Sequence, residues 1–293
     1  DSVTIDGSSA GGTVIISGDA LGDDLDAAGS TVAQGGSGIT DVARSLDGED
    51  RLDDNSRLFN ITNAGAATTF QGLVLTGGRT TEDGAYGGAV RSAADLTVTD
   101  STVAGNSTAG ANAYGGAFYA GGTATVTTST LSGKGTAGDG AYGGARTVAG
   151  ATTVTNSTLT GNSTAGVGAG GGGLHSSGSA TVTDSIILGN VAAQETATNE
   201  VFADNLTLAG GNIIGNELLA AGQSPGDGVA VVEGGTVADA AAAVFDTTAP
   251  TQFDGDGDGI VETEATDIAA GVLGDNGGPT ETVLILSTGA AQN

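Results

Sequence analysis

Asp254, Asp256 and Asp258 stand at alternate positions in the run DGDGDGIVETE, and hard carboxylate oxygens at that spacing suit calcium. Gly259 permits the sharp turn such a loop needs, and the Ile260 carbonyl and Glu262 can complete the shell. The loop departs from an EF-hand, because its twelfth position is Ala265, no flanking helices are evident, and Glu264 would have to substitute. A solvated acidic turn is the competing reading. A second acidic cluster, Asp47, Glu49, Asp50, Asp53 and Asp54, reads as a solvated loop.

Three further sets of residues could carry chemistry. Arg91, Tyr119, Thr147 and His175 recur at one position of successive 28-residue units, which suggests a column that a lyase or hydrolase could use. The single His would then lie three units from Arg91, about 14 Å at strand spacing. Asp100 and Asp184 are equally far apart, whereas glycoside hydrolysis needs carboxylates roughly 5–10 Å apart. Tyr86, Tyr114 and Tyr142 form another column, either a sugar platform or a structural aromatic ladder. The Thr residues of the repeated TVT segments would make a two-wide outward array over four units. Such an array looks like an ice-binding face, and equally like any exposed parallel sheet, which β-branched residues suit.

All of these depend on one period. Tyr86–Ala113, Tyr114–Ala141, Tyr142–Ala169 and Gly170–Ala197 repeat every 28 residues without insertion, and Leu58–Ala85 is a weaker copy. Such a unit cannot bury its own apolar side and needs stacked neighbours. Val98, Val126, Val154 and Val182 are each flanked by Thr, the period-2 signature of a strand with one buried face. Five positions later comes a second apolar column, Val103, Leu131, Leu159 and Ile187. Five is odd, so a corner must lie between the columns, near Asp100–Ser101. Gly105–Asn106 and its equivalents mark a second turn, and a third short strand follows the Gly-Gly pairs. The Asn106, Asn162 and Asn190 column reads as a hydrogen-bonded turn ladder interrupted by Lys134. No i, i+3, i+4 apolar stripe supports helices. The chain is therefore expected to be all-β, a right-handed parallel β-helix of about 28-residue coils, with roughly ten laps possible.

The sequence divides into residues 1–57, an opening coil with an acidic excursion; 58–216, the regular repeats; and 217–293, closing coils with the calcium-type loop and a closing strand. Leu218–Ala249 is Ala-rich and could include a short helix. Its 34 acidic and 7 basic residues give a net charge of −27, which repels nucleic acid and anionic lipid and attracts divalent cations. The 55 Gly follow no collagen period, Cys is absent, and no stretch is long enough to span a bilayer. The chain reads as a processed or excised part of something longer.

TIDGSSAGGTVIISGD, YGGA…TVTNSTLTGN and LGDNGGPTETVLIL together resemble bacterial surface proteins with right-handed parallel β-helices. The nearest likeness is to polymorphic outer-membrane-protein-type and choice-of-anchor secreted repeat proteins, within the pectin-lyase-like fold. The resemblance implies an extracellular or cell-surface location. The expected function is structural or adhesive and non-catalytic, with Ca2+ as a structural ion. Expected partners are other copies joined end to end, or another surface protein or polysaccharide. Open strand edges at Val3 and Ile5, and at Val283 and Ile285, are the candidates for end-to-end assembly. A polysaccharide lyase or hydrolase, and an ice-binding solenoid, are the alternatives.

Overall fold

The computed structural model describes residues 2–10, 14–18, 56–192, 200–215, 230–232, 244–245, 273–274 and 282–283. Among them the chain is all-β, and its strands stack in parallel as a β-solenoid of about 28 residues per lap and about five laps. Partners stay in register: Val126 lies opposite Val98 on one side and Val154 on the other, and Leu131 lies between Val103 and Leu159. The interior is a set of such columns. Phe70, Val98, Val126, Val154 and Val182 form one, and Leu75, Val103, Leu131, Leu159 and Ile187 form another; every member is buried.

Each lap from Leu58 to Ala169 carries four short strands where the sequence predicts three, and in the lap from Gly170 the first two are joined as Leu174–Thr183. In the lap from Tyr86 they are Val90–Ser92, Leu96–Thr99, Thr102–Ala104 and Ser107–Thr108. The last has two polar residues, too few to show any alternation, so nothing in the sequence pattern marks it. Its stack still runs through five laps, from Arg79–Thr80 to Val191–Ala192.

The corner between the two apolar columns lies where the odd spacing requires it. Asp100, Thr128, Asn156 and Asp184 occupy left-handed backbone, with φ of 48°, 50°, 49° and 48°. Beside them runs a serine ladder. The backbone N–H of Ser101 donates to Ser129 Oγ, that of Ser129 to Ser157 Oγ, and that of Ser157 to Ser185 Oγ, at 3.1–3.2 Å. Each hydroxyl donates in turn to the carbonyl two residues before it, as Ser101 does to Thr99. The corner's N–H groups are thereby paired within the protein, and Asn212 ends the ladder by accepting from Ser185 N–H.

Thr128 is the misfit of that column, because a β-branched side chain is the least suited to positive φ. Thr128→Asn is expected to stabilise the protein by about 1 kcal/mol, since Asn tolerates this conformation. A urea midpoint unchanged or lowered in that variant would contradict the strain.

The second Gly of each Gly-Gly pair answers to close approach between laps. A Cβ on Gly116 would sit 2.3 Å from the Gly144 carbonyl oxygen and 2.5 Å from that of Gly135. At the far end, Ile213–Gly215 pairs in parallel with Ala230–Val232, so the described part of the Ala-rich stretch there is strand. Thr282–Val283 pairs antiparallel with Leu273–Gly274 in a two-stranded sheet of its own. No helix among the described residues is long and apolar enough to cross a membrane.

Candidate functional site

One face of the solenoid gathers the aromatic side chains into a continuous ribbon. The middle residue of each strand after the Gly-Gly pair points outward, and register stacks Asn60, Arg91, Tyr119, Thr147, His175 and Phe202 in one column. The Tyr86, Tyr114 and Tyr142 column runs beside it. The two interleave: Tyr86 stacks on Tyr114 at 5.1 Å with planes 5° apart, and on Tyr119 at 4.6 Å. Tyr114 meets Tyr142 at 5.7 Å, Tyr142 meets His175 at 4.9 Å, and His175 stacks on Phe202 at 5.3 Å. Most ring faces are therefore turned toward other rings, which makes the ribbon a structural ladder along its length.

His175 belongs to this ladder. Burial lowers its pKa to about 4, against a smaller opposing pull from the Asp204 carboxylate, and its buried Nδ1 has no hydrogen-bond partner. The folded state thus keeps the imidazole neutral where the unfolded chain would protonate it. Stability from this group is present above pH 6.5 and is lost as pH falls toward 4. The wild type is expected to lose about 1–2 kcal/mol more than His175→Gln across that window, read from urea unfolding at each pH. Identical losses would show that His175 does not titrate as placed.

Among the described residues the ribbon stops at Tyr86: one lap earlier, register puts Asn60 opposite Arg91, and no further ring joins the ladder. There a cavity of 230 Å³ opens, lined by Arg57, Asn60, Glu82, Asp83, Gly84, Ala85, Tyr86 and Arg91. Arg57 Nε donates to the Gly87 carbonyl at 2.9 Å, and Arg91 Nη1 donates to Asn60 Oδ1 at 3.2 Å. Burial lowers the Arg57 pKa, and the nearby Arg91 charge adds to that, partly offset by Glu82. Asp83 Oδ1 accepts from Ala111 N–H, fixing one wall.

The Thr array is longer than the four ranks legible in the TVT segments. Thr69, Thr97, Thr125, Thr153, Thr181 and Thr207 share one column, and Thr99, Thr127, Thr155 and Thr183 the next. The asparagine ladder is present too. Asn106, Asn162 and Asn190 are buried and each donates through Nδ2 to a carbonyl of the preceding lap. Glu200, which the sequence pattern does not single out, is buried at its end and accepts from Gly189 N–H and Asn190 Nδ2.

The Asp254, Asp256, Asp258, Ile260 and Glu262 loop lies outside the described residues, as do the Asp47–Asp54 cluster and Ile285. Among the described residues no group of three or more His, Cys, Asp or Glu is placed to hold a metal. Val3 is about half exposed, and Ile5, partly buried, packs against the core. Comparison of the chain with family models, curated proteins and solved structures finds no match.

Proposed function

We propose that the chain is a non-catalytic structural and adhesive β-solenoid of an extracellular bacterial surface. The observation that carries this is the uninterrupted interior. Continuous apolar columns from Phe70 to Val182 and from Leu75 to Ile187 give a stiff, side-chain-filled rod with a regular outer surface. A surface of net −27 suits a solvated extracellular element. End-to-end assembly is part of the reading, since among the described residues Val3–Asp6 has a ladder partner on one side only. The acidic loop at Asp254–Glu262 is read as its calcium site, so a chelator should lower the melting temperature.

Negative-stain imaging and polysaccharide assays test this together. The expected result is rods, some longer than one subunit, with no turnover of any polysaccharide. Monodisperse short rods would remove the assembly part alone. Release of unsaturated sugar ends, abolished by His175→Ala, would replace the whole reading with a lyase. One observation favours a second reading: six threonines in register form the longer of the two outward columns, an array suited to ice. Thermal hysteresis abolished by Thr125→Tyr would establish it.

A further inference from the structure

We infer that the cavity at the end of the aromatic ribbon binds a single acidic sugar residue, a six-membered ring bearing one carboxylate, at the end of a glycan. Three features of the cavity converge on that chemistry.

The first is charge. Only Arg57, Arg79, Arg91, Lys134 and Arg146 are basic among the described residues, and Lys134 and Arg146 are buried in the core. Two of the other three, Arg57 and Arg91, line this one cavity. A like-charged pair on a chain of net −27 marks a place for an anion. Guanidinium groups match a planar carboxylate, and each of these has spent one N–H on a neighbour, Gly87 and Asn60 respectively, of the five it carries.

The second is Tyr86. Its stacking partners, Tyr114 and Tyr119, both come from the following lap, and the cavity lies toward the preceding one, where no ring continues the ribbon. Tyr86 is the one ring of the ladder among the residues that line the cavity. The C–H face of a pyranose can rest there.

The third is the acceptor set. Glu82 and Asp83 share the cavity with the arginines and would accept from sugar hydroxyls. They would also repel a phosphate or a polyanion, so the favoured ligand carries one negative charge and several hydroxyls. The site opens to solvent, and its volume of 230 Å³, below the roughly 300–1,000 Å³ of drug-sized pockets, suits one ring.

This goes beyond the scaffold reading, and the two fail separately, since a rod that ignores sugars is still a rod. Saturation-transfer NMR or calorimetry with methyl glucuronide, methyl glucoside and a polyuronate is the test. Methyl glucuronide is expected to bind at least tenfold more tightly than methyl glucoside. Arg91→Gln should abolish that preference, and Tyr86→Leu should weaken binding of both, with the circular-dichroism melt of each variant close to wild type. Equal binding of the two glycosides, binding of the polyuronate alone, or no binding of any probe would overturn the proposal. If Tyr86→Leu unfolds, Arg91→Gln with Arg57→Gln decides the matter, since both side chains lie outside the core.

Discussion

Arg146→Leu is expected to stabilise the protein by about 3–4 kcal/mol at neutral pH. Register places Arg146 in an inward column between Phe118 and Leu174, where it is 1% exposed. Its Nη2 donates to the Ala124 carbonyl at 3.0 Å, while Nε and Nη1 have no partner. Burial lowers its pKa from the ordinary arginine value to about 9, a shift that costs on the order of 5 kcal/mol when the group is charged. Leu fits the column, since Leu174 already fills it one lap on, so most of that cost should vanish. The pH dependence gives an independent check. Above about pH 9, until the unfolded arginine itself titrates, the unfolded chain binds a proton that the folded chain does not, so wild-type stability from this group rises with pH across that window. The gap between Arg146→Leu and wild type should be constant below pH 9 and about 2 kcal/mol smaller at pH 10.5. Urea unfolding at both pH values reads it. A gap that is absent, or that does not close above pH 9, would mean the guanidinium is not buried as described.

How far the molecule could be read beforehand depends on how many laps repeat each signal. The Val and Leu columns are legible because period-2 alternation and 28-residue spacing agree over four units. The odd spacing between Val98 and Val103 foretells a corner near Asp100, and the structure adds that its backbone is left-handed. The serine ladder beside it was also in plain view, since Ser101, Ser129, Ser157 and Ser185 are invariant across the units, but a small polar residue at a turn carries no hydrophobic signal. Arg146 aligns with Val90 and Phe118, so its inward position followed from the columns, yet charge argues for solvent and conceals it. The cavity at Tyr86 could not be read at all. It depends on where the ribbon stops, on Arg57, which precedes the first repeat, and on Glu82, which lies in the least regular one. Interleaving of Tyr119 with the tyrosine column likewise requires coordinates, because the two belong to different positions of the repeat.

Lys134→Asn is the second large effect expected, again a stabilisation of about 3 kcal/mol. In the ladder, each backbone N–H donates to the Asn Oδ1 one lap on, as Gly78 does to Asn106 at 2.8 Å and Asn162 to Asn190 at 3.1 Å. Each Nδ2 reaches back to a carbonyl 31 residues earlier, as Asn162 does to Leu131 at 3.1 Å. Lys134 imitates half of this, since its Nζ donates to the Val103 carbonyl 31 residues before it. It has no acceptor to offer Asn106, and Asn162 Oδ1 is left buried with no partner. Burial also holds the Lys134 pKa well below its ordinary value. A buried amine with a depressed pKa lowers stability at every pH below 10.5, where the unfolded chain takes up the proton. Asn at this position supplies the missing oxygen, restores a partner for Asn162, and removes the titrating group. Two readouts therefore move together: the urea midpoint should rise, and stability should change less between pH 7 and 10 than in the wild type. Lys134→Met separates the causes, because it removes the amine without mending the ladder and should recover only part of the gain. If Lys134→Met matches Lys134→Asn, the hydrogen-bonded column contributes nothing, and the amine alone sets the cost.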